Sequence, residues 1–105
     1  MDSDIGASAP RTRVLVIDDS NTIRRSAEIF LKQGGYDVYL AEDGFDALSK
    51  VNDHAPDLIF CDILMPRLDG YQTCAIIKRN SRYADLPVIM LSSKDGLFEI
   101  GRAHV

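Results

Sequence analysis

Short apolar runs that end in acidic residues are the feature that most constrains the fold of this chain. Arg13 to Ile17 leads directly into Asp18 and Asp19, and Leu58 to Cys61 leads into Asp62. Because both runs are rich in β-branched or aromatic residues, they are predicted to be buried strands that place carboxylates at one edge of a sheet. Three carboxylates at one edge would repel one another and take up protons unless a cation lay among them.

The residue types in this cluster indicate which cation it would hold. Carboxylate oxygens without histidine or cysteine ligands favour Mg2+ or Mn2+ over zinc. A coordination shell made half of protein oxygens and half of water suits Mg2+ best. The sequence therefore predicts Mg2+ as the cofactor, held among Asp18, Asp19 and Asp62.

Length and composition indicate a single small domain. The chain has 105 residues, of which 46% are hydrophobic, and its net charge of -4 does not favour nucleic-acid binding. Cys61 and Cys74 have no metal or redox spacing and are interpreted as reduced packing cysteines. No segment is long enough to span a bilayer, and the N-terminus lacks a signal-peptide pattern. A cytoplasmic protein without membrane insertion is predicted.

Three stretches with helical periodicity alternate with the strands. The first is predicted to begin with Asn21 as its cap and to end at Gly34 and Gly35 in a left-handed cap. The second follows the Asp43-Gly44 turn, and the third is predicted over 71–80. The predicted inward residues are Ile23, Ala27, Phe30 and Leu31 in the first helix, Ala47, Leu48 and Val51 in the second, and Ala75 and Ile76 in the third.

Two further strands complete the pattern. Tyr36, Val38 and Leu40 alternate with polar neighbours, and Val88 to Leu91 is continuously apolar. The resulting order βαβαβαβ predicts an α/β fold with a mainly parallel, doubly wound sheet covered by helices on both faces. Sites in such sheets lie outside the carboxyl ends of the strands. The residues that fall at those ends are Asp18, Asp19, Asp62 and Ser92 or Ser93.

Three motifs carry a resemblance to a known family. Val16 to Ser20, Asp62 to Gly70 and Pro87 to Ser93 resemble, in order and spacing, the CheY-like receiver domain of two-component response regulators. The resemblance covers residues 12–98 and implies a flavodoxin-like sheet with strand order 2-1-3-4-5. Within the family, the chain is most similar to the stand-alone chemotaxis-type receivers of twitching motility. The segments that carry this narrower likeness are Ser20 to Arg25, Asp43 to Leu48, Arg67 to Cys74 and Ser92 to Phe98.

The resemblance implies a role for each residue at the strand ends. Asp62 would take a phosphoryl group from a histidine kinase or its phosphotransfer domain. Asp19, Asp62 and the backbone carbonyl of Leu64 would ligate Mg2+ directly, and Asp18 would act largely through a bound water. Ser92 would donate a hydrogen bond to the phosphoryl group, and its movement would be the switch. The implied activity is self-phosphorylation and self-dephosphorylation, with signalling through a downstream protein partner and without direct binding of nucleic acid.

Two positions are predicted to set how long the phosphoryl group lasts. Leu64 and Lys94 lie two residues beyond Asp62 and Ser92, where residues in the family flank the path of the attacking water. An apolar side chain and a cation offer no group to orient that water. Slow self-dephosphorylation is therefore expected.

Several other residues are given structural interpretations. Asp69, Gly70 and Pro66 are taken as shaping a loop, with Gly70 supplying backbone freedom. His54 and His104 have no partners at ligand or general-base spacing and are interpreted as surface residues. Arg24 and Arg25 are interpreted as a solvated helix face, with binding of a kinase domain or of DNA as the alternatives.

The chain departs from the family at its C-terminus. A complete receiver continues into a parallel fifth strand, a lysine at its end, an aromatic switch residue and a fifth helix, and the sequence lacks these. Lys94 follows Ser92 too soon to be that lysine. Val88 to Leu91 is consequently expected to form an exposed apolar edge, and the polypeptide to be poorly folded or aggregated.

The two ends of the chain are predicted to lie outside the domain. Residues 1–11 are small and polar and are interpreted as a disordered leader. Ile100 to Val105 lacks apolar periodicity and matches the translation of a common sequencing-library adapter, with Glu99 at the junction. Residues 99–105 are therefore expected to be a non-native tail, leaving a partial receiver over 12–98.

Two alternative functions fit parts of the same pattern. The first is the N-terminal receiver of a longer DNA-binding transcription regulator, which would share the site chemistry. The second is a Mg2+-dependent phosphatase with an aspartyl nucleophile, which needs a second acid two residues after that nucleophile. Leu64 after Asp62 and Ser20 after Asp18 argue against the phosphatase.

Overall fold

Strands and helices alternate along the chain as the hydrophobic pattern predicts. The computed structural model describes residues 10–92 and the backbone of residues 97–99, so the predictions for residues 1–9, Lys94, His104 and 100–105 lie outside the described residues. The strands are β1 (Arg13–Ile17), β2 (Asp37–Ala41), β3 (Leu58–Asp62), β4 (Val88–Ser92) and β5 (Leu97–Glu99). The helices are α1 (Asn21–Gln33), α2 (Gly44–His54) and α3 (Gly70–Arg79), followed by a short 3-10 turn at Ser81–Tyr83.

The strands form one sheet in the order β2-β1-β3-β4-β5. β1 pairs in parallel with both β2 and β3, and β3 pairs in parallel with β4. Parallel neighbours need crossover connections, which the intervening helices provide. The α/β, flavodoxin-like fold predicted from the sequence is confirmed.

The far edge of the sheet differs from the prediction. β5 is a three-residue strand that runs antiparallel to β4, with Met90 opposite Glu99 and Ser92 opposite Leu97. The parallel fifth strand of a complete receiver is therefore not among the described residues. The expectation that Val88 to Leu91 is an exposed edge is wrong at Met90 and Leu91, because β5 pairs with both residues.

The main core lies between one face of the sheet and helices α2 and α3. Alternate residues of the central strands point into it, as the pleat of a strand requires. Cys61 and Cys74 are both buried there as free cysteines, which confirms their packing role. The strand residues in this core are Leu15, Ile17, Ala41, Ile59, Cys61, Val88 and Met90.

Helix α1 covers the other face of the sheet, over β1 and β2. Its predicted end is confirmed: Gly35 has a φ of 89°, and the N–H groups of Gly35 and Tyr36 donate to the carbonyls of Lys32 and Leu31. Its predicted cap is wrong by one residue. Ser20 caps the helix through its hydroxyl, which accepts a hydrogen bond from the Ile23 N–H, and Asn21 is the first helical residue.

The inward face of α1 is narrower than predicted. Phe30 is 75% exposed, whereas Ile23, Ala27 and Leu31 are half-buried. Phe30 lies three residues after Ala27 and so belongs to the same apolar stripe, but the described residues leave most of its side chain uncovered. The prediction that Phe30 belongs to the packed face is wrong.

Helices α2 and α3 pack on the main core with one further correction. Ala47 and Val51 of α2 are buried, as predicted, and Leu48 packs partly buried against the core. In α3 the buried residues are Gly70, Thr73, Cys74 and Ile77, while Ile76 is half-buried and Ala75 is exposed. The prediction that Ala75 and Ile76 face inward is therefore wrong for Ala75 and only partly right for Ile76. A residue as small as alanine occurs on either face of a helix, so Ala75 did not define the buried face.

Candidate functional site

The acidic residues lie together at the carboxyl ends of the two central strands. Asp18 and Asp19 directly follow β1, and Asp62 is the last residue of β3. The parallel register pairs Ile17 with Cys61, so the residues that follow each of them are neighbours. One carboxylate oxygen from each of Asp18, Asp19 and Asp62 can be chosen so that all three lie within 4.8 Å of one another.

The three carboxylates differ in their exposure to solvent. Asp18 is 0% exposed and Asp62 is 1% exposed, whereas Asp19 is exposed to solvent. Oδ1 of Asp18 accepts a hydrogen bond of 2.8 Å from the Ser20 N–H. Oδ2 of Asp18 is buried and has no hydrogen-bond partner among the described residues. A buried acceptor of this kind is costly unless a proton or a cation meets it.

The electrostatics of Asp18 reflect this placement. The pKa of Asp18 is raised to about 6, chiefly by burial and to a lesser extent by the nearby charges of Asp62 and Asp19. The hydrogen bond from Ser20 and the positive charge of Arg24 oppose that rise in pKa. Asp18 thus holds a proton more tightly than an ordinary carboxylate does, and a cation bound beside it would oppose that effect.

Arg24 has a role that the sequence analysis missed. Its Nη1 donates a 2.7 Å hydrogen bond to the backbone carbonyl of Asp18, and its Nη2 donates to Oδ1 of Asn21. Arg24 thereby ties the first turn of α1 to the loop that follows β1. Arg25 instead pairs with Glu28 on the helix surface at 2.7 Å. The interpretation as a solvated face holds for Arg25 and is wrong for Arg24.

The loop after β3 is folded tightly around Asp62. The Leu64 N–H donates to Oδ1 of Asp62 at 3.4 Å, and the side chain of Leu64 is 54% exposed. The Gly70 N–H donates to the carbonyl of Ile63 at 2.9 Å, which closes the loop. Asp69 then caps α3 in a reciprocal pair of hydrogen bonds with Gln72.

Gly70 is required by space and not by backbone freedom. A Cβ at Gly70 would collide with the backbone carbonyl of Asp62. The structure assigns positive φ to Gly35 alone among the glycines of its described part, so Gly70 needs no left-handed conformation. The prediction that Gly70 supplies conformational freedom is wrong; glycine lets the start of α3 approach the strand end that carries Asp62.

Ser92 lies next to this cluster on the neighbouring strand. It ends β4, and the register pairs Leu91 of β4 with Asp62 of β3. The Ile63 N–H donates to the carbonyl of Leu91, which fixes the two strand ends side by side. The structure therefore places Ser92 one residue beyond the partner of Asp62 and leaves it half-buried. Ser93 and Lys94 lie outside the described residues.

The residues present fit a hard divalent cation. Three carboxylates converge, and one buried oxygen of Asp18 lacks a hydrogen-bond partner within the described ranges. Cys61 adjoins the cluster in sequence, but burial strongly raises the pKa of its thiol and keeps it protonated. A thiolate ligand, which would favour zinc, is thus disfavoured at this site.

His54 is held by packing. Its ring stacks on Tyr39 with the ring centroids 3.9 Å apart, and its backbone carbonyl accepts a hydrogen bond from Arg13. Among the described residues, no helix has the length and apolar character needed to cross a membrane.

Comparison with known proteins agrees with this architecture. Residues 14–104 match the family model of the response regulator receiver domain. The chain is 62% identical over 93 residues to Protein PilG of Pseudomonas aeruginosa, an alignment that covers 89% of this chain and 69% of PilG. It is 39% identical over 87 residues to Response regulator MprA of a Mycobacterium species, which covers 83% of this chain and 37% of MprA.

Solved structures show the same fold. The chemotaxis protein CheY4 of Vibrio cholerae superposes with a TM-score of 0.76 and 32% identity, covering 82% of this chain and 76% of CheY4. The N-terminal domain of a response regulator receiver protein from Methanoculleus marisnigri superposes with a TM-score of 0.74 and 38% identity, covering 76% of this chain and 65% of that one. With the family model matching most of its length, the chain belongs to the receiver domain family of two-component response regulators.

Proposed function

We propose that this chain is a phosphoacceptor switch in which Asp62 receives a phosphoryl group in the presence of Mg2+. The observation that carries the proposal is the convergence of Asp18, Asp19 and Asp62 within 4.8 Å at the ends of β1 and β3. The unsatisfied, buried Oδ2 of Asp18 supports it, because this oxygen needs a positive partner. The donor would be a histidine kinase or its phosphotransfer domain.

The transfer itself is a displacement at phosphorus. A carboxylate oxygen of Asp62 forms a new O–P bond while the P–N bond of the donor phosphohistidine breaks, and the imidazole leaves with the electron pair. The product is an acyl phosphate, a mixed anhydride that water can hydrolyse. Asp62 suits this role because it sits at a strand end whose backbone is fixed by pairing with β1 and β4.

Bound Mg2+ would supply charge neutralisation for the transferring phosphoryl group. In this proposal Asp19, Asp62 and the Leu64 carbonyl would be direct ligands, and Asp18 would act largely through water. Asp18 and Asp19 are neighbours at the end of β1, and Arg24 anchors their loop to α1. Ser92 would donate a hydrogen bond to the phosphoryl oxygen from the end of β4.

The proposal is tested by detecting covalent phosphorylation of the chain. Incubating the chain with acetyl phosphate and Mg2+ is expected to add one phosphoryl group, detected by intact mass spectrometry, and EDTA is expected to prevent the addition. Asp62→Asn should abolish it, whereas Asp53→Asn, an exposed acid on α2, should leave it unchanged. A folded wild-type chain that gains no phosphoryl group under these conditions would contradict the proposal.

The biological setting proposed is chemotaxis-like control of twitching motility in the cytoplasm. The similarity to PilG supports this assignment. The output would be a protein partner whose binding depends on the state of Asp62. Binding of the purified chain to candidate partners, compared with and without phosphorylation, would test it.

A longer regulator remains the second candidate. MprA supports it, because this chain matches only 37% of that response regulator. Such a protein would use the same Asp62 chemistry and add a domain beyond the receiver. A full-length transcript with a DNA-binding domain downstream would favour this candidate over the stand-alone switch.

A further inference from the structure

Arg67 adopts an unfavourable backbone conformation in the loop beside the acidic cluster. Its φ is 67°, in the left-handed region that residues with a Cβ disfavour. The Leu68 N–H donates a 2.7 Å hydrogen bond to the carbonyl of Pro66, so Arg67 is the middle residue of a tight three-residue turn. Turns of this kind with positive φ are rare and strained. Arg67 lies in the β3–α3 loop, between the strand end at Asp62 and the start of α3.

The side chain of Arg67 reaches across to the start of α2. Its Nη2 lies 2.9 Å from Oδ2 of Asp43, and its guanidinium lies over the ring of Phe45, 5.3 Å from the centroid. The other oxygen of Asp43 accepts a hydrogen bond from the Asp46 N–H and thereby caps α2. One carboxylate thus joins the strained turn to a helix that is itself packed on the core. We call Arg67, Asp43 and Phe45 the Arg67 latch.

We propose that the Arg67 latch holds the β3–α3 loop in the shape that Mg2+ binding requires, which makes Arg67 a positioning residue for the metal. The inference rests on the proposed function, because it takes the cluster around Asp62 to be a Mg2+ site. The loop is fixed at its far end by the bond from Gly70 to Ile63. Without the latch, the backbone at Arg67 would relax out of the left-handed region and shift the segment that contains Leu64.

Electrostatics alone predicts the opposite effect on Mg2+ binding when the Arg67 side chain is removed. Arg67 is a cation near a site for a dication, so its removal would strengthen Mg2+ binding if the side chain acted only through its charge. The pair is 66% exposed on the arginine side and 19% on the aspartate side. An exposed ion pair that holds no structure would contribute little. The sign of the change therefore separates a positioning role from a surface charge.

The experiment is a Mg2+ titration of the full chain by isothermal calorimetry. Arg67→Ala is expected to weaken Mg2+ binding by about tenfold, as loss of a group that orients metal ligands does. Asp43→Asn keeps the helix cap and should weaken binding in the same direction. The double variant should be no weaker than the more impaired single variant, because both remove one interaction. Arg67→Gly should recover part of the affinity, since glycine adopts positive φ without strain.

Arg82→Ala is the matched control. Arg82 is also exposed and also lies over an aromatic ring, that of Tyr83, at 5.6 Å. It belongs to the 3-10 turn before β4, at the opposite end of that strand from Ser92. Its removal is expected to leave Mg2+ affinity unchanged. A loss equal to that of Arg67→Ala would overturn the proposal.

A second measurement needs no metal. Exchange of the Leu68 amide hydrogen, followed by NMR without Mg2+, should be faster in Arg67→Ala than in the wild type. If Arg67→Ala binds Mg2+ as well as or better than the wild type, the latch has no positioning role. If the folded wild type itself fails to bind Mg2+, the proposed function fails instead, and the exchange rate alone decides whether the latch holds the turn.

Discussion

At the scale of single residues, Asp18 is a carboxylate whose charged form is costly to bury. Its side chain is fully buried, one oxygen has no hydrogen-bond partner in the described part of the chain, and two other carboxylates lie nearby. Burial raises its pKa from 3.8 to about 6. Either a proton or a cation relieves this cost, so protons and Mg2+ should compete for the site.

This competition predicts how stability depends on pH. The folded-state pKa of Asp18 lies above the unfolded value, so its contribution without metal is fully present below pH 3.8 and is lost as pH rises through about 6. Mg2+ should therefore raise the thermal midpoint more at pH 7.5 than at pH 5. Scanning calorimetry with EDTA or Mg2+ checks this. Asp18→Asn should flatten the pH dependence in EDTA, and an unchanged dependence would contradict the assignment to Asp18.

Leu64 offers a second prediction at the residue scale. Its side chain is 54% exposed two residues after Asp62 and carries no group that could orient a water molecule. Leu64→Asn should speed the loss of the phosphoryl group, because an amide can hold the attacking water. The decay of phosphorylated protein, followed by mass spectrometry, measures this. Leu64→Met is the control, and equal decay rates for wild type and Leu64→Asn would refute the idea.

At the scale of elements, the space and the backbone conformation at a helix end decide whether glycine is needed there. The start of α3 lies against the strand end that carries Asp62, and Gly70 permits this because a Cβ would meet the Asp62 carbonyl. The end of α1 needs glycine for a different reason, because Gly35 has positive φ and open space around it. Two glycines that look alike in the sequence thus serve different physical needs.

Alanine substitutions should separate these two needs. Gly70→Ala is expected to destabilise the fold by about 1–3 kcal/mol through overpacking and also to weaken Mg2+ binding by displacing Asp62. Gly35→Ala should cost about 1–2 kcal/mol through backbone strain and leave Mg2+ binding unchanged. Urea unfolding and calorimetric Mg2+ titration measure the two effects. Equal Mg2+ affinity in both variants would show that the approach at Gly70 does not position Asp62.

At the scale of the whole molecule, the two faces of the sheet are covered unequally. The face toward α2 and α3 holds the main core, whereas the opposite face meets α1 over β1 and β2. On that second side Ile29 is 59% and Phe30 75% exposed, and Phe60 and Ile89 of the central strands are only half-buried. Exposed apolar surface of this kind favours association.

The folded chain is accordingly expected to associate as its concentration rises. β5 pairs with part of β4 and reduces the unpaired edge, but the apolar residues Ile29 and Phe30 of α1 stay exposed. Light scattering coupled to size-exclusion chromatography over a range of concentrations tests this. A monomer at every concentration would contradict the expectation.

The sequence by itself determined the order of elements and the acids at the strand ends. Runs such as Arg13–Ile17 and the helical spacing around Ala47 and Val51 signal their structure locally, because period and burial are encoded in neighbouring residues. The parallel pairing of β1 with β3 then brings Asp18 and Asp62 together. The family resemblance added the roles proposed for these residues.

Only the tertiary structure decided which contacts between elements hold the site in place. Arg67 pairs with Asp43, 24 residues away, and this contact joins two loops that no local pattern relates. Arg24 reaches back over six residues to the Asp18 carbonyl, a contact that the helical pattern of α1 does not signal. The same holds for the exposure of Phe30 and for the antiparallel β5, which depend on what packs beside α1 and β4. Such contacts depend on distances in the assembled fold, and spacing along the chain does not encode those distances.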